Sequence, residues 1–383
     1  MTTPSTTTVT LASVPVADAA ALHDVFAGVA RINAANNLAL LGHTDLVDAP
    51  AATCAAFLDR GDADKLLLVA LDGPTTDPQG PGLPEVTEIG TARVLGYAEA
   101  SLPTKDNLDL AEVFVEVHPD AARAGLGGVL ATALEDEVRA RGRHTLMSWT
   151  AHRDEAEPAS DEALVAPTGV GALRRDDPVT RFALSRGYAL EQTERHSQLE
   201  VPVAEEVLAP LRQQAVAASE GYEVLTWVGR TPEEHLEQMA RLRQRMSVDV
   251  PMGALAFEEE AWDAERVRRG DDRAERMGRT VLTAAARHLA SGEMVAYSVL
   301  ICPGENEAVG WQGDTLVHGD HRGHRLGMLV KVANLEAMAT RRPSTQRVHT
   351  WNAGENQWML AINVALGFRR VATEGAWQKR VSD

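Results

Sequence analysis

The sequence predicts an α/β fold with two consecutive domains, each a mixed sheet covered by helices. A chain of 383 residues is long for a single core. Both halves follow the order β, α, several strands, α, β, α, β. Each half also contains a strand that leads through a Gly/Arg-rich loop into a helix. A duplicated domain is the economical explanation of this repetition.

In the first half, short apolar runs predict strands and one-sided apolar spacing predicts helices. The predicted strands are 9–12, 65–70, 90–101, 108–117 and 144–149, and the predicted helices are 18–36 and 126–141. Gly, Pro and acidic residues are concentrated in residues 72–84 and 151–176, which we expect to be surface loops.

The second half begins after a helix-compatible segment, residues 201–218, that joins the two halves. Its predicted strands are 222–228, 280–285, 294–301, 309–317 and 348–351, and its predicted helices are 232–246, 326–340 and 357–366. The predicted domain limits are therefore 1–200 and 222–383, with 201–221 as the connecting segment.

The composition restricts the class of protein. With 44% hydrophobic residues, both halves can bury a core, and a net charge of −18 argues against a nucleic-acid partner. Cys54 and Cys302 have no paired spacing, which argues against a disulfide framework or a metal site. No signal peptide or membrane span is recognisable, so we expect a cytoplasmic monomer or homodimer with no membrane partner.

The two loops are candidate phosphate-binding sites, because a small-residue loop at a helix N-terminus exposes backbone N–H groups. The first runs from Val117-His118-Pro119 to Gly125-Leu126-Gly127-Gly128, and the second from Val317-His318-Gly319 to Arg325-Leu326-Gly327. The first lacks the third glycine of a dinucleotide fingerprint, and no Gly-Lys-Ser/Thr occurs. The alternative is that the glycines only permit a tight turn.

Each loop is followed later by a Gly-aromatic pair, Gly187-Tyr188 or Gly367-Phe368. With these pairs in the same order, nearly the whole chain resembles a tandem Gcn5-related N-acetyltransferase (GNAT) of the actinobacterial two-domain type. The family's loop reads Arg/Gln-x-x-Gly-x-Gly/Ala. The first loop departs from it at Ala122 and the second at Arg325, whereas Arg322 keeps the basic position.

The resemblance implies a mostly antiparallel, splayed sheet in each domain, and acetyl-CoA as the cofactor. A bulge in the strand before the loop would open a slot for pantetheine. The backbone amide of Val117 or Val317 would bind the thioester carbonyl and stabilise the oxyanion. The other residues that the resemblance assigns to the coenzyme are Arg123, Ala124, Gly125, Leu126, Gly127 and Gly128 in the first half, and Arg322, Gly323, His324, Arg325, Leu326, Gly327, Asn352 and Asn356 in the second.

Acetylation of an amine requires removal of a proton, and the family often uses a carboxylate on the bulged strand for this. Asp314 is the candidate base, with Gln312 expected on the same strand face as a substrate contact. Glu112 and Glu116 are the analogues in the first half. The alternative for Asp314 is a backbone contact or a solvent-facing position.

The position of the family's usual catalytic acid, a tyrosine, is occupied by Asn363 in the second half and by Ala183 in the first. Neither can protonate a thiolate, so water or another side chain would have to do so. Asp249, in a Pro/Gly-marked segment after the first helix of the second half, could pair with a cationic amine or cap a helix. His318, His321 and His324 lie within seven residues of one another, on a strand end and a loop. They give only a weak indication of a metal site, and no metal is predicted.

The sequence therefore predicts an acetyl-CoA-dependent N-acetyltransferase acting on a primary amine of a small molecule. Direct attack in a ternary complex is expected, with the chemistry in the C-terminal domain. Three alternatives stay open at this point. The N-terminal domain could be the catalytic one, the chain could be a non-catalytic acyl-CoA-binding or regulatory protein, or it could have a mycothiol-synthase-like activity.

Overall fold

The computed structural model describes residues 9–73, 83–86 and 88–381. The middle of the predicted loop 72–84 lies outside these residues. The structure divides into two compact units. Unit 1 consists of residues 1–148 and 378–383, and unit 2 of residues 149–377. The fold class predicted from the sequence is confirmed: the elements form mixed sheets flanked by helices.

Unit 1 has a sheet in which the strands follow chain order. Its elements are β1 (Val9–Ser13), α1 (His23–Leu41), α2 (Pro50–Leu58), β2 (Ala63–Asp72), β3 (Arg93–Pro103), β4 (Leu110–Val117), α3 (Leu126–Ala140) and the start of β5 (Thr145–His152). Pairing is antiparallel from β1 to β4, and β4 and β5 are parallel. Helices α1 and α2 bury Phe26, Ile32 and Phe57 against this sheet.

Unit 2 contains the remaining elements. These are β6 (Ala163–Val165), β7 (Ala172–Arg174), α4 (Pro178–Ser185), β8 (Ala189–Glu200), α5 (Glu205–Ala218), β9 (Tyr222–Val228), α6 (Leu236–Asp249), α7 (Ala264–Arg276), β10 (Thr280–His288), β11 (Met294–Cys302), β12 (Val309–Val317), α8 (Leu326–Arg341), β13 (Arg347–Ala353), α9 (Gln357–Leu366) and β14 (Arg369–Arg380). Its main sheet has the order β14-β8-β13-β12-β11-β10-β9.

The two units do not coincide with the two repeats of the sequence. Strand β8 comes from the first repeat, but in unit 2 it pairs antiparallel with β13, from Arg347↔Glu200 to Ala353↔Glu194. The chain end belongs to unit 1, where the Val381 N–H donates to the His144 carbonyl at 2.8 Å. The limits 1–200 and 222–383 therefore describe sequence repeats, and as domain limits they stay a prediction.

Alternate residues of β11 enter two different cores, as the period of a strand requires. On one face Ala296 and Leu300 pack against α8, and on the other Tyr297 and Val299 pack with α6. Trp377 is fully buried. Among the described residues, no helix combines the length and the apolar character that crossing a membrane requires.

Three features escaped the sequence patterns. Helix α7 carries so many charged residues that Val267 is one of its few apolar side chains, and no apolar periodicity is visible. The predicted loop 151–176 contains the hairpin β6–β7, whose strands of three residues are too short for a period-2 pattern. Helix α6 extends to Asp249, although a non-helical segment was expected from residue 246.

The core face of α8 includes a lysine, Lys331, which is 2% exposed. Its Nζ lies 5.9 Å from the centre of the Phe368 ring. Burial lowers the pKa of Lys331 from 10.5 to about 7 because the charged form loses its hydration. Between these two values the unfolded chain holds a proton that the native chain does not, so stability rises with pH in this window.

We predict that the stability advantage of Lys331→Met over the wild-type chain shrinks by about 2 kcal/mol between about pH 8 and pH 9.5. The physical reason is that the native lysine is neutral throughout, whereas the unfolded one stays protonated and must release its proton on folding, at a cost that falls as the pH rises. Urea denaturation of both proteins at the two pH values measures the difference. Lys105→Met, at an exposed position, is the control, and a pH-independent difference for Lys331→Met would contradict the prediction.

Candidate functional site

Both Gly/Arg-rich loops begin with the same turn. His118 and His318 each accept a hydrogen bond at Nδ1 from a backbone N–H, of Asp120 and of Asp320 respectively, both at 3.3 Å. A short 3-10 helix follows in each case. The repeated histidine is therefore a local cap that fixes how the chain leaves β4 and β12.

Each loop then places two residues in the left-handed region. They are Arg123 (φ 63°) and Gly125 (φ 84°) in the first loop, and Gly323 (φ 89°) and Arg325 (φ 53°) in the second. Glycine and arginine have exchanged positions, but the backbone path is the same. Alternation of right- and left-handed residues turns successive N–H groups toward one side and creates a concavity that binds anions. Arg325 thus keeps the loop geometry at the position where the family pattern has glycine.

Histidines anchor the second loop to the sheet of unit 2. Tyr222 of β9 shares a hydrogen bond of 2.9 Å between its hydroxyl and His321 Nδ1. The rings of His288 and His324 lie 5.2 and 5.3 Å from that of Tyr222. His324, predicted as a coenzyme contact, is exposed next to the left-handed Arg325. These contacts hold the loop that begins α8.

Strand β12 carries the bulge that the resemblance implied. Ser298 of β11 pairs with Thr315 and Leu300 pairs with Gln312, so two residues of β12, Gly313 and Asp314, oppose one residue of β11. The bulge has no counterpart in β4, which pairs with β3 in regular register from Gly96↔Val117 to Ser101↔Glu112. The two repeats share the loop and differ in the strand before it.

The side chain of Gln312 occupies the bulge. It is 8% exposed, and its Nε2 donates to the Val299 carbonyl at 2.7 Å and to Ser298 Oγ at 3.1 Å. Thr315 Oγ1 lies 2.9 Å from Ser298 Oγ. A bulge leaves backbone groups without a ladder partner, and an unpaired buried carbonyl is costly. The Gln312 side-chain amide, on the neighbouring strand β12, supplies that partner to the Val299 carbonyl.

The bulge also overturns one expectation about strand faces. Gln312 was expected on the same face as Asp314, but the Asp314 carboxylate accepts a hydrogen bond from the Tyr297 hydroxyl at 3.1 Å. Tyr297 and Ser298 are consecutive on β11 and therefore point to opposite faces. Gln312, bound to Ser298, is thus on the α8 side, and Asp314 is on the α6 side. The extra residue of the bulge reverses which face the following side chains of β12 point to. A prediction that assumes strict alternation of side chains along the strand therefore puts Asp314 and Gln312 on the same face.

Tyr297 is a residue that sequence reasoning missed. It is fully buried, and burial, followed by the neighbouring Asp314 carboxylate, raises its pKa well above the usual range. Tyr97 occupies the same register position in β3, opposite Glu116. The signal was present: Tyr97 and Tyr297 stand at the same spacing before His118 and His318, in a chain with only four tyrosines.

Strands β12 and β13 pair in parallel over three residues only, from Val309↔Arg347 to Trp311↔His349. Beyond these the strands are splayed. The His318 N–H donates to the Val295 carbonyl of β11 at 2.8 Å. Because successive N–H groups of a strand point to opposite edges, the N–H of Val317 is directed toward the β13 side. The structure thus brings the Val317 amide to the splay, next to the Arg322–Gly327 loop.

The far side of the splay carries the asparagines. Asn363 of α9, 2% exposed, donates from Nδ2 to Asn352 Oδ1 at 2.6 Å. Asn363 Oδ1 is buried without a hydrogen-bond partner, which leaves an acceptor for a ligand donor. Asn356 caps α9 by accepting from the Met359 N–H at 3.2 Å. Asn352 and Asn363 are therefore brought together, whereas Asn356 has a local structural role.

Asp249 is the last residue of α6 and caps no helix N-terminus. Its Oδ1 accepts from Arg245 Nη2 at 2.7 Å. Its Oδ2 lies 3.6 Å from Arg322 Nη2 and is buried without a hydrogen bond. Arg322 Nε also approaches the Val317 carbonyl at 3.4 Å. Asp249 thus lies beside the loop, with one carboxylate oxygen still to be satisfied.

Comparison with solved structures gives the fold a name. Over 98% of this chain and 100% of the other, the structure matches a tandem GNAT protein from the clavulanic acid biosynthesis pathway, with a TM-score of 0.71 and 23% identity. The fold is the tandem GNAT fold.

A second GNAT-fold neighbour is the Gcn5-related N-acetyltransferase from Sphaerobacter thermophilus, with a TM-score of 0.56 and 16% identity over 98% of this chain and 96% of that one. No protein-family model matches the chain, and no curated protein matches its sequence. The resemblance inferred from the two loops is thus confirmed for the fold.

We predict that Gln312→Leu destabilises unit 2 by about 1–3 kcal/mol, because it leaves the Val299 carbonyl buried without a donor. Urea denaturation followed by tryptophan fluorescence measures this change. Gln198→Leu is the matched control, since the Gln198 amide donates to Glu200 at the surface. Equal stability of the two variants would show that the bulge does not depend on Gln312.

Proposed function

We propose that this chain is an N-acetyltransferase that uses acetyl-CoA to acetylate a primary amine of a small molecule, with the chemistry in unit 2. The observation that carries the proposal is the bulged and splayed β12. Its Val317 amide is directed toward the gap, next to an anion-binding loop at the start of α8. Unit 1 has the loop without the bulge, which supports the assignment of chemistry to unit 2.

The coenzyme fits this site by its chemistry. Its pyrophosphate would be held by the backbone N–H groups from Arg322 to Gly327, and the Arg322 guanidinium adds a charge-assisted contact. Gly327 lies close to its neighbours: a Cβ there would be 3.1 Å from Ile362 and 3.6 Å from Val317. Bound acetyl-CoA supplies the acetyl thioester. In the first half, Arg123 to Gly128 form a loop of the same shape and are proposed as a second binding site.

In unit 2 the Val317 N–H would stabilise the oxyanion that forms when the amine attacks the thioester carbonyl directly. Asp314 would accept the proton of the substrate ammonium, since a protonated amine has no lone pair for attack. The hydroxyl of the buried Tyr297 donates a hydrogen bond that holds the Asp314 carboxylate in place. Asn363 has no acidic proton, and a thiolate with a pKa of about 8.5 can leave without it.

The acceptor amine would bind beside Asp249, whose Oδ2 lies 3.6 Å from Arg322 of the second loop. An ammonium is a suitable partner for a carboxylate oxygen that is buried and has no hydrogen bond. Arg322 is within ion-pair distance of the same oxygen. The amine and the coenzyme loop therefore have Asp249 and Arg322 as their common neighbours, which fits a reaction in a ternary complex.

One observation favours a second function, that of an acyl-CoA-binding or regulatory protein. Neither Asn363 nor Ala183 can donate a proton to a leaving thiolate, so both halves lack that acid. Release of free thiol from acetyl-CoA, followed with a panel of small amines, separates the two functions. Amine-dependent release supports the enzyme, and tight coenzyme binding with no release supports the regulatory protein.

We predict that Gly327→Glu removes one acetyl-CoA site per chain in calorimetry and abolishes amine-dependent turnover. The added side chain would press on Ile362 and would place a negative charge in a phosphate-binding loop. Gly270→Glu is the control, because it adds the same charge to α7 of unit 2 in open space. Unaltered stoichiometry for Gly327→Glu would remove the coenzyme from this loop and move it to unit 1.

We further predict that Asp314→Asn lowers kcat/KM by about 100-fold at neutral pH, as the loss of a general base does. The loss should be smaller at high pH, where the free amine exists without a base. Tyr297→Phe should lower the rate less, because it removes only the hydrogen bond that holds the Asp314 carboxylate. Asp272→Asn, in a surface ion pair with Arg230, is the control. A pH–rate profile of Asp314→Asn parallel to that of the wild-type enzyme would exclude Asp314 as the base.

A further inference from the structure

Helix α8 carries polar side chains on the face that it buries in unit 2. Asn334 is fully buried, and its Nδ2 donates to the Ser298 carbonyl of β11 at 2.7 Å. Lys331, nearly one turn earlier on the same face, is buried as well. Within the described part of the chain no carboxylate pairs with this lysine, and burial is the cause of its lowered pKa. Burying an amine without a partner costs free energy, which points to a role other than packing.

Unit 1 shows that the fold does not require these polar groups. Helices α3 and α8 begin in the same way, directly after the second left-handed residue of each loop. Positions in the two helices can therefore be compared by their distance from that start. In unit 1 the buried residue is Ala131 in place of Lys331, Leu134 in place of Asn334, and Ala183 in place of Asn363. The polar side chains belong to unit 2 and not to the fold.

Lys331 lies between α8 and α9. Gly327, at the end of the phosphate loop, is one turn before it on the same face of α8, and a Cβ at Gly327 would be 3.1 Å from Ile362 of α9. Lys331 Nζ is 5.9 Å from the centre of the Phe368 ring. The Phe368 N–H in turn donates to the Asn363 carbonyl at 3.0 Å. The lysine therefore extends from the helix of the phosphate loop toward the part of α9 that carries Asn363.

Buried hydrogen-bond acceptors are present on this side of the sheet. Asn334 Oδ1 and Asn363 Oδ1 are both buried without a hydrogen-bond partner. Asn363 occupies the position of the family's usual acid, and its Nδ2 reaches Asn352 of β13 at the splay. Amide oxygens accept hydrogen bonds from an ammonium group and so reduce the cost of its burial. The surroundings of Lys331 thus contain acceptors suited to its protonated form.

The titratable groups of the elements around α8 have other partners or are uncharged. The Tyr222 hydroxyl of β9 is hydrogen-bonded to His321, and Arg212 of α5 pairs with Glu336. Burial raises the pKa of the Cys302 thiol of β11 to about 11, which keeps it neutral. Strand β10 contributes apolar residues to this core. On the α8 side, β12, β13 and α9 contribute the neutral amides of Gln312, Asn352 and Asn363.

We propose that Lys331 is the catalytic acid of unit 2 and gives its proton to the coenzyme sulfur as the thioester breaks; the inference rests on the proposed acetyl transfer. The amine nitrogen forms a bond to the carbonyl carbon, the carbon–sulfur bond breaks, and its electron pair goes to sulfur. The Lys331 ammonium proton passes to that sulfur, and Asp314 takes the proton of the amine. The products are the amide, the free thiol and neutral Lys331, which regains a proton from solvent as Asp314 releases one.

The acidity of Lys331 suits this step. Burial lowers its pKa to about 7, whereas a free thiol has a pKa of about 8.5. Proton transfer from the ammonium to a thiolate is therefore favourable, which it would not be for a lysine with its ordinary pKa. Unit 1, with Ala131 and Ala183 at the corresponding positions, has neither the lysine nor the family's tyrosine. This difference agrees with the assignment of chemistry to unit 2.

Binding of CoA and of desulfo-CoA, which lacks the thiol, tests the contact without turnover. Calorimetry is done near pH 7 on the full chain with Gly127→Glu, so that the loop of unit 1 does not contribute. Because an ammonium stabilises a thiolate, CoA should bind about tenfold more tightly than desulfo-CoA. Adding Lys331→Met should make the two affinities equal, whereas Lys105→Met, at an exposed position, should preserve the difference.

The outcomes separate this inference from the proposed function. Equal affinities for CoA and desulfo-CoA with Lys331 present would overturn the acid and leave the acetyl transfer standing. A preference for CoA that survives Lys331→Met would also overturn the acid. No binding of either ligand to the Gly127→Glu chain would overturn both, because it would exclude a coenzyme site in unit 2.

The pH dependence of turnover gives a second test. In the wild-type enzyme kcat should fall as the pH rises through about 7, since neutral Lys331 has no proton to give. Lys331→Met should lower kcat by about tenfold or more below that pH, remove this limb and leave the KM for acetyl-CoA nearly unchanged. Parallel profiles would contradict the proposal. Acetylation of Lys331 itself by acetyl-CoA, detected by mass spectrometry, would contradict it too, because the amine would then be an acceptor.

Discussion

The hydrogen bonds of the Gln312 side chain inside the β12 bulge are the constraint on which the site in unit 2 depends. The bulge places an extra residue in the strand, and the extra residue sends Asp314 to the α6 face while Gln312 stays on the α8 face. The splay of β12 from β13 beyond Trp311 is common to both repeats, since β4 and β5 likewise pair over three residues. The Val317 amide is directed to that splay. One buried amide group thus stabilises a geometry that separates the two sides of the site.

The two repeats differ in the strand that precedes a loop of the same shape. Both loops have the same histidine cap and the same pair of left-handed residues, so both keep a backbone suited to phosphate. Of the two strands that lead into the loops, β12 has the bulge and β4 is regular. The half-buried Glu99 and Glu116 stand at the register positions of Val299 and Leu316. Unit 2 combines this loop with a bulged strand, and unit 1 combines it with a regular one.

The pairing of β8 with β13, a strand of the second repeat, explains why the sequence repeats and the compact units do not coincide. Helix α5 follows β8 in the chain, but β8 itself pairs with β13, which belongs to the second repeat. A strand is placed by its hydrogen-bonding partner, and equivalent strands of two similar repeats offer nearly equivalent edges. Local pattern therefore gives the order of elements in each repeat, and only strand pairing decides in which unit β8 lies.

The sequence by itself determined the repeated element order, the two loops and the tandem GNAT resemblance, because these depend on local periodicity and on short motifs. Through that resemblance it also gave Asp314 and the Val317 amide as candidate site residues, and their roles stay a proposal. Tertiary structure alone decided three contacts. The Gln312 side chain fills the bulge, the Tyr297 hydroxyl donates to Asp314, and the Asn363 amide donates to Asn352. The physical reason is register: a bulge and a cross-strand contact depend on a partner strand many residues away.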